Sequence, residues 1–140
     1  MSVPAIRQVV LDTPDPRALA EFYRELLALE YRPGDEPPAP GADDPLGRDW
    51  LVLREPGGPP RLAFQHVPSL PRPTWPTPGI PQQLHLDLVV PSVADLDAQH
   101  SRALALGATL LLERTGDDTP EPLRVYADPS GHPFCIFVAP

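Results

Sequence analysis

The chain has 140 residues, of which 41% are hydrophobic, so it is long enough to form one globular domain with its own core. Its 19 acidic and 11 basic residues give a formal net charge of -8, which argues against nucleic acid or an anionic membrane as a partner. All the basic residues are arginines, and the absence of lysine excludes Schiff-base chemistry and the lysine of a phosphate-binding loop.

The first half of the chain predicts a strand, a helix and two further strands. Residues 4–12 alternate as a strand does, and Asp15 and Pro16 then fit the first positions of a helix that continues to about residue 29. A loop rich in proline, glycine and aspartate follows, and we expect Asp43 and Asp44 within it to be solvated charges. The remaining strands are predicted at about 49–54 and 61–67.

A proline-rich segment, residues 68–81, separates the two halves. Because proline fixes φ and lacks a backbone N–H donor, we expect this segment to be a stiff, extended connector. It contains Trp75, for which we favour a structural clamp over a role in stacking against a ligand, since burial of aromatic area is the commoner use of tryptophan.

The second half predicts the same elements in the same order. Residues 84–90 alternate, so His85 and Asp87 share one face of a strand while the leucines lie on the other. Ser92 fits the N-cap of a helix that ends at Gly107. Three strands follow near residues 108–113, 122–127 and 133–139, and a type I turn at 128–131 joins the last two.

The two halves are faint copies of each other. Residues 8–31 and 85–108 align without a gap and repeat the order of strand, proline break, helix cap and helix. We therefore predict an α+β fold in which two modules form curved mixed sheets around a central cup, each with a helix on its convex face. The whole chain, 1–140, is interpreted as one domain, with module one at about 4–67 and module two at about 82–140.

With these elements placed, the chain resembles the vicinal oxygen chelate superfamily of glyoxalase I, bleomycin-resistance proteins and extradiol dioxygenases, and within it the compact glyoxalase-like branch. The motifs that carry the resemblance occur in the expected order along nearly the whole chain: LDTPDP at 11–16, LAEFY at 19–23, HLDL at 85–88, LGA at 106–108 and DPSGHPFC at 128–135. The resemblance implies paired βαβββ modules and a homodimer. Fold analogy alone does not assign a function.

The resemblance also maps the metal-ligand positions of the superfamily onto this sequence, at Gln8, Gln65, His85 and Cys135. Oxygen-ligated divalent metals usually require at least one carboxylate, and none of these positions holds one. We therefore expect no metal ligand and no cofactor, with a divalent metal as the alternative.

Two sets of residues are the candidates for function. We interpret His85 and Asp87 as candidate catalytic residues, in which the carboxylate orients the imidazole as a general base or a ligand-anchoring donor; a purely structural interior pair is an equal alternative. For Cys135 we favour a buried, inert side chain over a nucleophile. The candidate ligand-binding residues are Gln8, Trp50, Gln65, His85 and Cys135.

The leading hypothesis is a metal-free, glyoxalase-like protein that binds a small, partly apolar organic molecule in the cup, either to sequester it or to carry out an unidentified reaction. The alternative is a metal-dependent lyase, isomerase or dioxygenase of the same superfamily. A third possibility is a module whose dimer surface is its function. The single cysteine and the absence of a secretion signal or a long apolar run predict a cytoplasmic protein with no membrane partner.

Overall fold

Within the described residues, eight strands and two α-helices follow the order strand, helix and three strands, twice, and a short 3-10 helix (Leu46–Arg48) lies in the first half. This order is seen in a computed structural model that describes residues 1–139, so the last residue of the predicted second module lies outside the described residues. The chain separates into two compact units, Met1–Leu70 and a second unit that begins at Pro71.

The first unit contains one helix and a four-stranded mixed sheet. Its elements are β1 (Val9–Thr13), α1 (Pro16–Leu27), β2 (Glu30–Tyr31), β3 (Trp50–Arg54) and β4 (Pro60–His66). The strand order is β1-β4-β3-β2, in which β1 and β4 are parallel and the other pairs are antiparallel.

The second unit repeats this arrangement. Its elements are β5 (Leu86–Val90), α2 (Val93–Leu106), β6 (Thr109–Arg114), β7 (Leu123–Ala127) and β8 (Pro133–Val138). The strand order is β5-β8-β7-β6, again with one parallel pair, β5 and β8. The predicted α+β fold with two βαβββ modules and mixed sheets is thereby confirmed.

The first unit departs from the sequence-based expectation at two places. β1 begins at Val9 and not at residue 4, because Val9 pairs with Leu62 and the partner strand β4 itself begins only two residues earlier, at Pro60. The two-residue strand β2 was not predicted as a separate element, since two residues are too short to show an alternating pattern.

Helix α1 forms where the sequence places an N-cap and an apolar stripe. The side chain of Asp15 accepts a hydrogen bond from the backbone N–H of Ala18 at 3.1 Å, and Pro16 occupies the first turn. The apolar face packs on the sheet, where the ring of Tyr23 stacks on Phe64 with 6.0 Å between centroids. Burial of side chains of this size contributes about 1.5–3 kcal/mol each, so this contact fixes the helix on one face of the sheet.

Arg17 anchors the loop between β2 and β3 to α1. Its Nε and one Nη donate to the two carboxylate oxygens of Asp44 at 2.8 and 3.0 Å, and the other Nη donates to the backbone carbonyl of Asp35 at 2.7 Å. The bidentate guanidinium holds the pKa of Asp44 below its usual range. Asp44 is therefore a structural anchor of the loop and not the freely solvated charge that was expected.

In the second unit, α2 covers one face of the sheet. The helix begins at the N-cap Ser92, whose hydroxyl oxygen accepts from the backbone N–H of Asp95 at 3.1 Å, and it ends at Gly107, whose φ of 112° lies in the left-handed region. The rings of Tyr126 and Phe134 stack on this face with centroids 5.2 Å apart. Side chains of the opposite parity project from the other face of the sheet, which carries the candidate site.

Candidate functional site

The pairing register of the second sheet groups a set of side chains on the face opposite α2. One row across the four strands consists of Asp87, Cys135, Val125 and Leu112. The next row consists of Val89, Phe137, Leu123 and Arg114. Paired residues of neighbouring strands project from the same face of a sheet. This face therefore carries apolar side chains together with one carboxylate, one thiol and one guanidinium.

A pocket of about 280 Å³ lies over these rows, within the second unit. Its apolar lining consists of Trp75, Leu112, Leu123, Val125, Cys135 and Phe137. Its polar lining consists of Gln82, His85, Asp87, Arg114 and Glu121. An apolar concavity with a few polar groups is the usual composition of a small-molecule site, and this volume is close to the lower end of the range of about 300–1,000 Å³ for such sites.

The proline-rich segment supplies the aromatic wall of this pocket. Instead of running extended, as expected, it folds back on itself: the backbone N–H of Thr74 donates to the carbonyl of Ile80 at 2.8 Å, and the N–H of Ile80 donates to the Thr74 hydroxyl at 2.9 Å. Arg72 ties the segment to the turn between β7 and β8 by donating to the carbonyl of Pro129 at 2.6 Å. Trp75 lies within the closed loop from Thr74 to Ile80 and three residues after Arg72, so these hydrogen bonds restrain the backbone on both sides of it.

His85 is held between two oxygen atoms. Its Nδ1 lies 3.1 Å from Oε1 of Gln82, and its Nε2 lies 3.3 Å from Oδ1 of Asp87. His85 comes directly before β5, and Asp87 is two residues further on the same face, as the alternation predicted. The imidazole is therefore restrained at both nitrogens, and a bound molecule would hydrogen-bond it, or exchange a proton with it, at Nδ1 by replacing Gln82.

Cys135 lies at the floor of the pocket as a protonated thiol. The residue is 7% exposed, and burial raises the pKa of its thiol to about 11, assisted by the negative charges of Asp87 and Glu121. The thiolate is the form that attacks electrophiles and binds metals, so a raised pKa opposes both roles. The environment suits the expected buried, inert side chain.

The other sequence-based candidates, Gln8, Trp50 and Gln65, lie in the first unit. Trp50 and Gln65 are directly paired between β3 and β4, and Gln65 is also paired with Asp12 of β1. Gln8 precedes β1, and its Oε1 is buried and has no hydrogen-bond partner among residues 1–139. Of the five predicted ligand-binding residues, His85 and Cys135 therefore line the pocket in the second unit, and the other three do not.

The residues that the resemblance places at metal-ligand positions fit a divalent cation poorly. Gln8 and Gln65 supply only neutral amide oxygens, and none of the four positions holds a carboxylate to offset the charge of the cation. Within the part of the chain that the structure describes, no three His, Cys, Asp or Glu side chains are grouped so that they could hold a metal ion. The donor set therefore gives no basis for deriving metal-assisted chemistry.

Sequence reasoning missed several pocket residues as ligand contacts, among them one indole and three polar side chains. Trp75 was assigned a structural role, and Gln82, Arg114 and Glu121 were not singled out. The only available signal was the presence of a tryptophan in a segment otherwise poor in apolar side chains. Among residues 1–139, no helix is long and apolar enough to cross a membrane.

Comparison with known proteins identifies the family. The profile of the glyoxalase-like domain matches residues 8–137. Among curated proteins, none matches the sequence. The fold is similar to that of the fosfomycin resistance protein FosX from Listeria monocytogenes, with a TM-score of 0.67, 14% sequence identity, and coverage of 99% of this chain and 96% of that chain.

Two further solved structures have the same fold. A glyoxalase/bleomycin resistance protein/dioxygenase family enzyme from Burkholderia phytofirmans PsJN has a TM-score of 0.64 and 17% identity, covering 94% of this chain and 96% of that chain. Lactoylglutathione lyase from Agrobacterium tumefaciens has a TM-score of 0.58 and 17% identity, covering 99% and 96%. The family match extends over most of the sequence, and the chain therefore belongs to the glyoxalase-like domain family.

Proposed function

We propose that this protein binds a small, partly apolar organic molecule in the pocket of its second unit and that it does so without a metal ion. The observation that carries the proposal is the pocket of about 280 Å³, in which an apolar floor meets several polar side chains. Apolar surface supplies affinity and a few oriented polar groups supply specificity, which is the composition expected of a ligand site.

Trp75 is the main apolar contact in this proposal. The closed loop from Thr74 to Ile80 and the bond from Arg72 to the turn restrain the backbone that carries the indole before a ligand arrives. A pre-positioned aromatic wall loses little conformational freedom on binding, so more of its contact energy appears as affinity. Removal of the indole should therefore weaken binding by about tenfold or more, as expected for loss of a buried aromatic contact.

His85 is the main polar contact. Asp87 holds its Nε2 at 3.3 Å, and the ligand would hydrogen-bond its Nδ1 in place of Gln82, whose oxygen lies 3.1 Å away. The same restrained imidazole provides a base, and a ligand with an acidic proton within reach of it would be a substrate. Binding and an unidentified reaction therefore share one site in this proposal.

A ligand screen tests the binding proposal. Small aromatic and aliphatic molecules are screened by thermal shift, and the hits are measured by calorimetry against the wild-type protein, Trp75→Ala and Trp75→Phe. We expect Trp75→Ala to lose most of the affinity and Trp75→Phe to retain more of it, because phenylalanine keeps an aromatic wall. Leu104→Ala, an exposed position on α2, serves as the control.

Two results would contradict the proposal. The first is a ligand whose affinity depends on Trp50 and not on Trp75, which would place the site in the first unit. The second is about one transition metal per chain in protein purified without chelator, with a rise in Tm on addition of Ni²⁺, Zn²⁺, Fe²⁺ or Mn²⁺. That second result would support the metal-dependent lyase, isomerase or dioxygenase.

The homodimer and the cytoplasmic location stay predictions. The mass measured by light scattering at micromolar concentration tests the first, and a monomer mass would contradict it.

A further inference from the structure

The pocket contains two opposite charges that have no ion-pair partner. Arg114 and Glu121 both line the pocket. Among residues 1–139, neither side chain forms an ion pair, either with the other or with any further charged group. Arg124 provides a contrast on the opposite face of the same sheet, where it pairs with Asp97 at 2.9 Å and with Glu113 at 3.2 Å. Two carboxylates therefore pair with Arg124, whereas Arg114 forms no ion pair with either carboxylate of the pocket.

The two charges reach the pocket from the two ends of the loop between β6 and β7. Arg114, the last residue of β6, pairs with Leu123, the first residue of β7. Glu121 lies in the loop, two residues before Leu123. The side chains of Arg114, Leu123 and Glu121 all line the pocket, so a cation and an anion flank an apolar surface.

The remaining charged groups of the pocket are already engaged. Asp87 lies 3.3 Å from the imidazole of His85, which in turn contacts Gln82. A ligand can therefore reach Glu121 and Arg114 without displacing an existing ion pair. It would do so beside Trp75, whose ring face also attracts a positively charged group.

We propose that the ligand is dipolar: a small apolar body that carries an ammonium group, held by Glu121, and a carboxylate or similar anion, held by Arg114. This inference rests on the proposed function and names the chemical class of its ligand. A ligand with only one charge would form an ion pair with one of the two side chains. It would displace water from the other side chain without forming an ion pair there. Because such loss of hydration is unfavourable, a ligand with both charges should be preferred.

A series of four probes with the same phenyl body tests this selectivity by calorimetry on the full chain. The probes are phenylalanine with both charges, 2-phenylethylamine with the positive charge, 3-phenylpropanoate with the negative charge, and uncharged 2-phenylethanol. We expect phenylalanine to bind at least about tenfold more tightly than each of the others, in line with the strength of charge-assisted hydrogen bonds.

Two variants assign each charge to its partner. Glu121→Gln should lower the affinity for phenylalanine and 2-phenylethylamine by about tenfold and leave the affinity for 3-phenylpropanoate unchanged. Arg114→Gln should lower the affinity for phenylalanine and 3-phenylpropanoate and leave that for 2-phenylethylamine unchanged. Both substitutions keep a polar side chain at an exposed position, so folding should be preserved. Arg61→Gln, which removes an exposed arginine of the first unit, is the control and should leave the affinity for all four probes unchanged.

The outcomes separate this inference from the proposed function. The dipolar ligand is refuted if an uncharged or singly charged molecule binds as tightly as phenylalanine and its binding depends on Trp75. Such a molecule could be 2-phenylethanol, a singly charged probe or an uncharged hit from the ligand screen, and the proposal of a binding pocket would stand. If phenylalanine binds most tightly but neither charge variant affects it, the assignment to Glu121 and Arg114 is refuted. If neither the probes nor any molecule of the screen binds, both proposals fail.

Discussion

The reactivity of Cys135 gives the sharpest test of the pocket as described. Burial, with smaller contributions from Asp87 and Glu121, raises the pKa of its thiol to about 11. At pH 7.5 the thiolate fraction should therefore be about 300-fold smaller than that of an unfolded chain, whose thiol has a pKa of about 8.5. The more basic thiolate is about tenfold more nucleophilic, so ionisation alone should slow alkylation about 20- to 30-fold.

The assay is alkylation by iodoacetamide followed by intact mass spectrometry. Cys135 is the only cysteine in the chain, so every added mass reports on this residue. In the native protein the rate should rise about tenfold per pH unit between pH 8 and 10, because the thiol is still far from its pKa. In the chain unfolded in urea the rate should level off above about pH 8.5.

Variants of the neighbouring carboxylates give a second readout. Asp87→Asn and Glu121→Gln each remove a negative charge near the sulfur, so each should lower the pKa of Cys135 and speed alkylation at pH 7.5. A native rate that levels off below pH 9 and is insensitive to low concentrations of urea would refute the reasoning. It would mean that the thiolate is available near neutral pH, and the metal-binding and nucleophilic roles would then be favoured.

Three substitutions test the framework that supports the pocket, with stability measured by urea unfolding. Asp128→Ala should lower the free energy of unfolding by about 2–4 kcal/mol, because the buried carboxylate accepts hydrogen bonds from two backbone N–H groups of the turn at 2.9 and 3.0 Å. Asp128→Asn keeps one acceptor oxygen and should therefore lower it less. Equal losses in the two variants would contradict this reasoning. Ser92→Ala should lower the free energy of unfolding by about 1 kcal/mol, because it removes the N-cap of α2. Ser92→Asp should retain most of this stabilisation, since aspartate also caps helices. Phe64→Ala should cost about 3–5 kcal/mol, since the ring is fully buried against Tyr23, and a loss below about 1 kcal/mol would show that this contact is not part of the core.

The sequence predicted the face of a strand where alternation was regular. In residues 84–90 every second side chain is a leucine or a valine, and the structure places Asp87 on the face opposite Leu86 and Leu88, as expected. The helix caps at Asp15 and Ser92 were also predicted, because a capping side chain bonds only to backbone within its own turn.

The remaining pocket residues depend on contacts that a periodic pattern does not encode. In β6 the pairing slips between Leu110 and Leu112, so the face of Arg114 is opposite to the one that simple alternation from Thr109 would give. Trp75 lies in a segment without periodicity, and its direction follows from hydrogen bonds between residues far apart in sequence, such as that from Arg72 to Pro129. Such contacts are specified by the folded chain and not by local propensity.

The position of β8 in its sheet has a consequence for how the protein is made. β8 lies between β5 and β7, so Leu86 finds its ladder partner Phe134 only after the intervening helix and hairpin have been synthesised. The same holds for β4 and β1 in the first unit. Contacts this distant in sequence slow folding, and during translation each opening strand presents unpaired backbone until its partner emerges from the ribosome. Nascent chains whose β8 is still inside the ribosome should therefore depend on chaperones more than chains that have been released.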